Sequence, residues 1–217
     1  AGTGSYSTAE SIRLTEEAEK IGVDGIMLVT PYYNKPPQSG LYHHFKAIAE
    51  RTSLPIMLYN IPGRTARNIE VETMLELAKI DNIIAVKEAS GDLNQVSALT
   101  RLLPDDFLVY SGDDSLTLPV LSVGGTGVVS VAGHLAGNEI KKMITAFKNN
   151  QLDEAIRMNK KLGKLFEILF ITTNPIPVKT ALNLIGFEVG GVRGPLVEMN
   201  DNERERLSEV LREFQLL

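Results

Sequence analysis

The sequence predicts an α/β fold with a parallel sheet, wound as a (β/α)8-type barrel, on three observations. Short apolar runs alternate with amphipathic helical stretches through the first two thirds of the chain. The runs are continuously apolar rather than alternating, which marks strands covered on both faces. Each run carries its polar residues at its C-terminal end: Thr30, Tyr32 and Tyr33; Tyr59 and Asn60; Lys87 and Glu88; Ser111 and Asp113; Ser130. Site residues drawn from the ends of several strands are the habit of a barrel.

The elements follow in order. Ala1–Thr3 reads as the tail of a strand, so the chain is expected to begin inside an element and to be a fragment. Residues 7–22, STAESIRLTEEAEKIG, form a helix with a capping-box signature, Ser7 followed by Glu10, and a terminating Gly22. Strands are predicted in GVDGIMLVTP (22–31), LPIMLYNIP (54–62), NIIAVKEAS (82–90), DFLVYSGDD (106–114) and GGTGVVSVAG (124–133). The stretches SGLYHHFKAIAERTS, VETMLELAKI, DLNQVSALTRLL and the Pro-interrupted DSLTLPVLSVG fill the gaps as helices. From residue 136 the pattern turns helical, which divides the chain into a strand-rich part, 1–135, and a helical part, 136–217.

A doubly wound open sheet fits the same alternation. It lacks its nucleotide-binding mark, since no G-x-G-x-x-G follows a strand and opens a helix. The barrel is favoured, although five strands and a stub do not close one.

Composition excludes several classes. The net charge of −5, without a basic stripe, argues against nucleic acid. The chain has no cysteine, hence no disulfide, thiolate metal site or cysteine nucleophile. No apolar run is long enough to span a membrane, and a cytoplasmic location is expected. His43, His44 and His134 lack metalloprotease spacing and are read as structural; no metal and no cofactor is expected. Asp113 and Asp114 are read as a helix-capping turn.

The chemistry centres on Lys87. Strand alternation places Ile83, Ala85 and Lys87 on one face, Ile84 and Val86 on the other. An inward lysine at the barrel mouth is desolvated, which lowers its pKa and frees a lone pair for attack on a carbonyl. That is what a Schiff-base lysine requires. An ordinary strand-end lysine instead reaches into water. Tyr59, on the face of Met57 in the preceding strand, could shuttle protons, or could be a core tyrosine. Arg64, on the loop after that strand, suits a substrate carboxylate, or is a solvated loop residue. Tyr32 and Tyr33 lie on a Pro-rich loop at the same end, as interface or as loop packing. Leu165, Phe166, Leu169 and Phe170 bunch together as candidate core or subunit contacts.

Six segments in order, AGTGS, TPYYNKP, LYNIPGRT, IIAVKEASGD, SGDD and NPIPVK, resemble the dihydrodipicolinate synthase and N-acetylneuraminate lyase family of class I aldolases. The resemblance runs along the whole chain. It implies a (β/α)8 barrel whose first two strand–helix units and most of strand 3 lie upstream of Ala1, followed by a C-terminal helical extension. A GTTGE segment, whose threonines bind the pyruvate carboxylate in the family, would lie there too.

By resemblance, Lys87 forms an imine with pyruvate, Tyr59 relays protons, and Tyr33 reaches into the site of a neighbouring subunit. Arg64 would hold the carboxylate of aspartate semialdehyde, while Gly112 and Val129 line the pyruvate pocket. Gly4, Glu10 and Tyr32 would belong to a lysine-feedback site, with Tyr6 standing where feedback-regulated members carry Asn. The implied activity is condensation of pyruvate with aspartate semialdehyde in lysine and diaminopimelate biosynthesis, by a homo-oligomer. The alternatives are a pyruvate-dependent sugar-acid aldolase, against which Arg64 argues, and an inactive module that only oligomerises or binds.

Overall fold

The structure, a computed structural model, describes all 217 residues and divides into two compact units, Ala1–Val129 and Ser130–Leu217. In the first unit five strands pair in parallel: β1 (Ile26–Val29), β2 (Ile56–Asn60), β3 (Ile83–Glu88), β4 (Leu108–Ser111) and β5 (Gly127–Val128). Their spatial order is their order in sequence. A doubly wound sheet reverses at a switch point, whereas a barrel winds in one direction, so the order decides between the two architectures. Ahead of β1, Gly2 makes a parallel bridge to Met27, and the Met27 N–H donates to Ala1 O at 2.7 Å. The predicted strand tail is therefore real.

The connecting helices are α1 (Thr8–Ile21), α2 (Gln38–Ala49), α3 (Pro62–Thr65), α4 (Val71–Leu77), α5 (Leu93–Leu102) and α6 (Thr117–Ser122), the last preceded by a 3-10 turn at Asp114–Leu116. One face of the sheet is sealed under them. Leu28, Ile56, Leu58 and Val86 are fully buried with Leu41, Phe45 and Ile48 of α2, Met74 and Leu77 of α4, and Leu99 of α5. Each such side chain contributes about 2 kcal/mol from burial alone.

The other face is different. Met27, Met57, Ile84, Ala85, Leu108 and Tyr110 line an apolar hollow of about 520 Å³. The expectation that both faces are buried holds only for the helix side; strands β1, β2 and β4 alternate buried with half-buried residues.

The alternation predicted for β3 needs correction. Ile56 pairs with Ile83 but Met57 pairs with Ala85, an irregularity that consumes one extra residue of β3. Ile83 therefore joins Val86 in the helix-side core, while Ile84, 41 % exposed, joins Ala85 at the hollow. Beyond the irregularity the prediction holds: Met57 faces Ala85, Tyr59 faces Lys87, and Tyr110 is the next partner of Lys87.

The capping box of α1 is only half formed. The Ser7 side chain accepts the Glu10 N–H, but the Glu10 carboxylate is taken by Arg13, at 2.9 Å from Nε and 2.7 Å from Nη2. A charged fork outcompetes a neutral backbone donor for the same carboxylate.

The second unit is helical: α7 (Gly133–Lys148), α8 (Leu152–Ile168), α9 (Ile176–Leu184) and α10 (Asp201–Glu213). The long stretch from residue 137 to 170 breaks into two helices at Asn150, which takes the left-handed conformation at φ 60°. Of the bunched apolar residues, Leu165, Phe166 and Leu169 are core and Phe170 is 45 % exposed. Helix α10 carries a complete capping box between Asn200 and Glu203 and buries Leu207 and Leu211. No helix in the chain is long and apolar enough to cross a membrane.

Candidate active site

Lys87 lies at the C-terminal end of β3, half-buried, with Nζ 4.2 Å from the centroid of the Tyr59 ring. The pairing follows from register: Tyr59 and Lys87 are Cα partners on neighbouring parallel strands, so their side chains leave the sheet together on the hollow side. Loss of water around the amine lowers the Lys87 pKa below the ordinary lysine range. The negative charge of Asp114 partly restores it, and the positive charge of Arg64 lowers it further. Burial also raises the Tyr59 phenol, against a smaller opposing effect of Arg64. The phenol therefore stays protonated and able to donate while the amine is brought toward its nucleophilic form.

Gly112 is required by packing. A Cβ there would come within 2.7 Å of Ala89 Cβ and 3.1 Å of both Cγ and Cε of Lys87. Glycine lets the β4 end close over the lysine stem, and the Gly112 N–H donates to Glu88 O at 2.7 Å. Val129, half-buried after β5, donates its N–H to Ser111 O and so stands beside the same strand end.

Arg64 is not on an irregular loop as expected. It sits in the helical turn Pro62–Thr65, started by a proline in its first turn and ended by Ala66 in the left-handed region at φ 57°. Arg64 is exposed, and its charge acts on both Lys87 and Tyr59.

Asp113 caps as predicted, its Oδ1 accepting the Ser115 N–H at 2.9 Å and hydroxyl at 2.8 Å. Asp114 is the buried member of the two. It is 2 % exposed, and it is the carboxylate whose charge opposes desolvation of Lys87. A turn motif reads the two alike; burial separates them.

The remaining predicted residues have surroundings of their own. Tyr33 is 91 % exposed at φ 73°, a conformation costly for a bulky residue. Tyr32 packs edge-on against Tyr6, ring centroids 5.6 Å apart. Gly4 lies against the backbone of β1, where a Cβ would meet Val29 N at 2.4 Å. Glu10 is engaged by Arg13. His44 is buried against α1, its Nδ1 2.9 Å from Thr8 Oγ1, and burial holds its pKa down at about 4.

Several strand-end polar residues that pointed to a barrel face the helices instead. Asn60 and Glu88, 0 % and 3 % exposed, bond to one another at 2.9 Å. The Thr30 hydroxyl donates to Tyr59 O at 3.0 Å, and the Ser111 hydroxyl to Asp113 O at 2.7 Å. Asn68 and Gln95, which complete the Asn60–Glu88 network, carried no sequence signal, since isolated amides on loops and helix starts are common.

A desolvated lysine at the end of a strand in a one-way parallel sheet, with a protonated phenol over it, defines a class: an α/β enzyme equipped for imine chemistry. Comparison with known proteins narrows the class. Residues 1–214 match the model of the dihydrodipicolinate synthetase family, and the chain belongs to that family. It is 58 % identical, over 217 residues, to the 4-hydroxy-tetrahydrodipicolinate synthase of Desulforudis audaxviator, covering all of this chain and 74 % of that protein. The enzyme of the same name from Desulforamulus reducens is 59 % identical over 218 residues, with the same coverage. Among solved structures, that of the enzyme from Cyanidioschyzon merolae with lysine bound superposes with a TM-score of 0.98 at 49 % identity, covering all of this chain and 74 % of that one. The chain thus spans about three quarters of the length of these relatives.

Proposed function

We propose that this chain carries the imine-forming centre of a 4-hydroxy-tetrahydrodipicolinate synthase, with Lys87 as nucleophile, Tyr59 as proton relay and Arg64 as the carboxylate-binding group. The observation that carries the reading is the Lys87–Tyr59 pair: an amine whose pKa desolvation lowers, 4.2 Å from a phenol ring whose own pKa burial raises.

The neutral Lys87 amine attacks the ketone carbon of pyruvate, the carbinolamine loses water with a proton supplied through Tyr59, and an imine forms. Loss of a C3 proton gives the enamine. Its C3 forms a bond to the aldehyde carbon of aspartate semialdehyde, whose oxygen takes up a proton. The amino group of that substrate then displaces Lys87 from the imine carbon, closing the ring and releasing the lysine. Arg64 can orient the semialdehyde through a two-pronged pair with its carboxylate. Gly112 and Val129 flank the strand end where pyruvate would bind.

We assign Tyr33 to the site of a second copy of the chain. An almost fully exposed tyrosine held in a costly left-handed conformation is suited to insertion elsewhere. Sedimentation of wild type and Y33F, alongside their turnover, tests this. A cytoplasmic setting and a homo-oligomer are part of the same proposal.

The decisive assay is steady-state condensation of pyruvate with aspartate semialdehyde, compared with sugar-derived aldehydes. Turnover with the semialdehyde, and a marked loss of it in R64A, is the expected outcome. Preference for a sugar aldehyde, unaffected by R64A, would overturn the substrate assignment.

A further inference from the structure

We infer that Asn60, Asn68, Glu88 and Gln95 form a positioning ring that sets where Arg64 stands relative to Lys87, and so governs recognition of the aldehyde substrate rather than imine formation. The inference rests on the roles proposed above for Lys87 and Arg64.

The ring closes on itself. Asn60 Nδ2 donates to Asn68 Oδ1 at 2.7 Å and to Glu88 Oε2 at 2.9 Å. Asn68 Nδ2 donates to Gln95 Oε1 at 2.7 Å, and Gln95 Nε2 returns to Glu88 Oε2 at 3.0 Å. The orientation of each amide is dictated. The Ile69 N–H donates to Asn60 Oδ1 at 3.0 Å, which turns the Asn60 amine toward Glu88. Glu88 Oε1 accepts the Ser90 N–H at 2.7 Å, leaving Oε2 as the common acceptor for Asn60 and Gln95. Swapping oxygen and nitrogen in any one amide would set like groups against each other.

What the ring holds is the segment bearing Arg64. Between β2 and α4 the chain makes an excursion over residues 61–67, and the exposed Arg64 sits on it. The excursion has two clasps. Inside it, the Thr65 hydroxyl, on a residue 2 % exposed, lies 3.1 Å from Ile61 O and 3.0 Å from Arg67 O. At its neck, the Asn60 side chain bonds both Asn68 and Ile69, closing the two ends together. Outside the ring, Gln38 of α2 donates to Asn68 O at 2.9 Å.

Glu88 then anchors the neck to β3 at the residue next to Lys87, but on the opposite face of the strand. The nucleophile and the neck of the carboxylate-binding segment therefore share one rigid element. Imine formation needs only Lys87, Tyr59 and pyruvate; productive aldehyde capture needs Arg64 at the correct distance from the enamine. Misplacing a binding group by about 1 Å costs up to about 10²-fold in rate.

The test uses Asn68, which touches the ring and the neck but neither proposed reacting group. In the full chain, N68A is expected to raise KM for aspartate semialdehyde about tenfold. Its KM for pyruvate and its borohydride-trapped pyruvyl adduct on Lys87 should remain those of wild type. N68S, whose hydroxyl can still accept from Asn60 and donate to Gln95, should recover part of the loss, and it carries the test if N68A does not fold. Unchanged KM values in a folded N68A, or a parallel loss of pyruvate trapping and aldehyde use, would overturn the inference. A wild type that traps no pyruvate would overturn the functional reading and this inference with it; a trapping wild type with an indifferent N68A overturns the inference alone.

Discussion

Tyr59 and Lys87 face the open side of the sheet, while Asn60 and Glu88, each one residue further along the same strands, face the helices. The first pair is half-buried and electrostatically perturbed. The second pair is sealed, with its polar atoms engaged in hydrogen bonds. Strand alternation thus sets the proposed reactive pair and its scaffold side by side in sequence and on opposite faces in space. Polar residue type at a strand end says little about role; the face decides.

Breaking the open-face pair should abolish chemistry and spare the fold. K87A is expected to reduce condensation by at least ~10³-fold, since it removes the amine proposed to form the imine, with a melting temperature close to wild type. Y59F keeps the ring over the amine and removes only the hydroxyl. Its kcat should fall about 10²-fold, the usual contribution of a positioned proton donor, while thermal stability holds.

Breaking the helix-face pair should cost stability and aldehyde capture, while pyruvate trapping on Lys87 is spared. E88L removes the acceptor of three donors, the fully buried Asn60 amide among them, so chemical denaturation should show a loss of about 3 kcal/mol. A smaller effect sharpens the same contrast. His44, also on the helix side, is held near pKa 4 against an ordinary value of 6.5. The unfolded chain therefore binds more protons than the folded one between those values, and stability should fall by about 2 kcal/mol as pH drops from 6.5 to 4. H44Q should flatten that slope in urea titrations, with no change in turnover.

Much of this was legible in the sequence because it rests on local pattern. Continuous apolar runs mark all five strands, and a lysine following the apolar run of NIIAVKEAS marks Lys87 as a candidate. Other features depend on competition or distance. The extra residue at Ile84 became visible only against the register of β2, because nothing in an apolar run marks where pairing slips. Glu10 fits a capping box, but Arg13 one turn later claims it. The helical turn carrying Arg64 was signalled by Pro62, which also fits a loop. Asn60, Asn68, Glu88 and Gln95 are spread over three segments whose meeting is a property of the folded sheet. Asp114 is buried where Asp113 is only half-buried, which a turn motif does not encode.

The most direct test of the account is borohydride reduction in the presence of pyruvate, followed by peptide mass spectrometry across a pH series. A single pyruvyl adduct on Lys87, forming with an inflection below the ordinary lysine range, is the predicted result. A folded protein that gives no adduct, or one whose adducts scatter over exposed lysines such as Lys79 and Lys164, would contradict it.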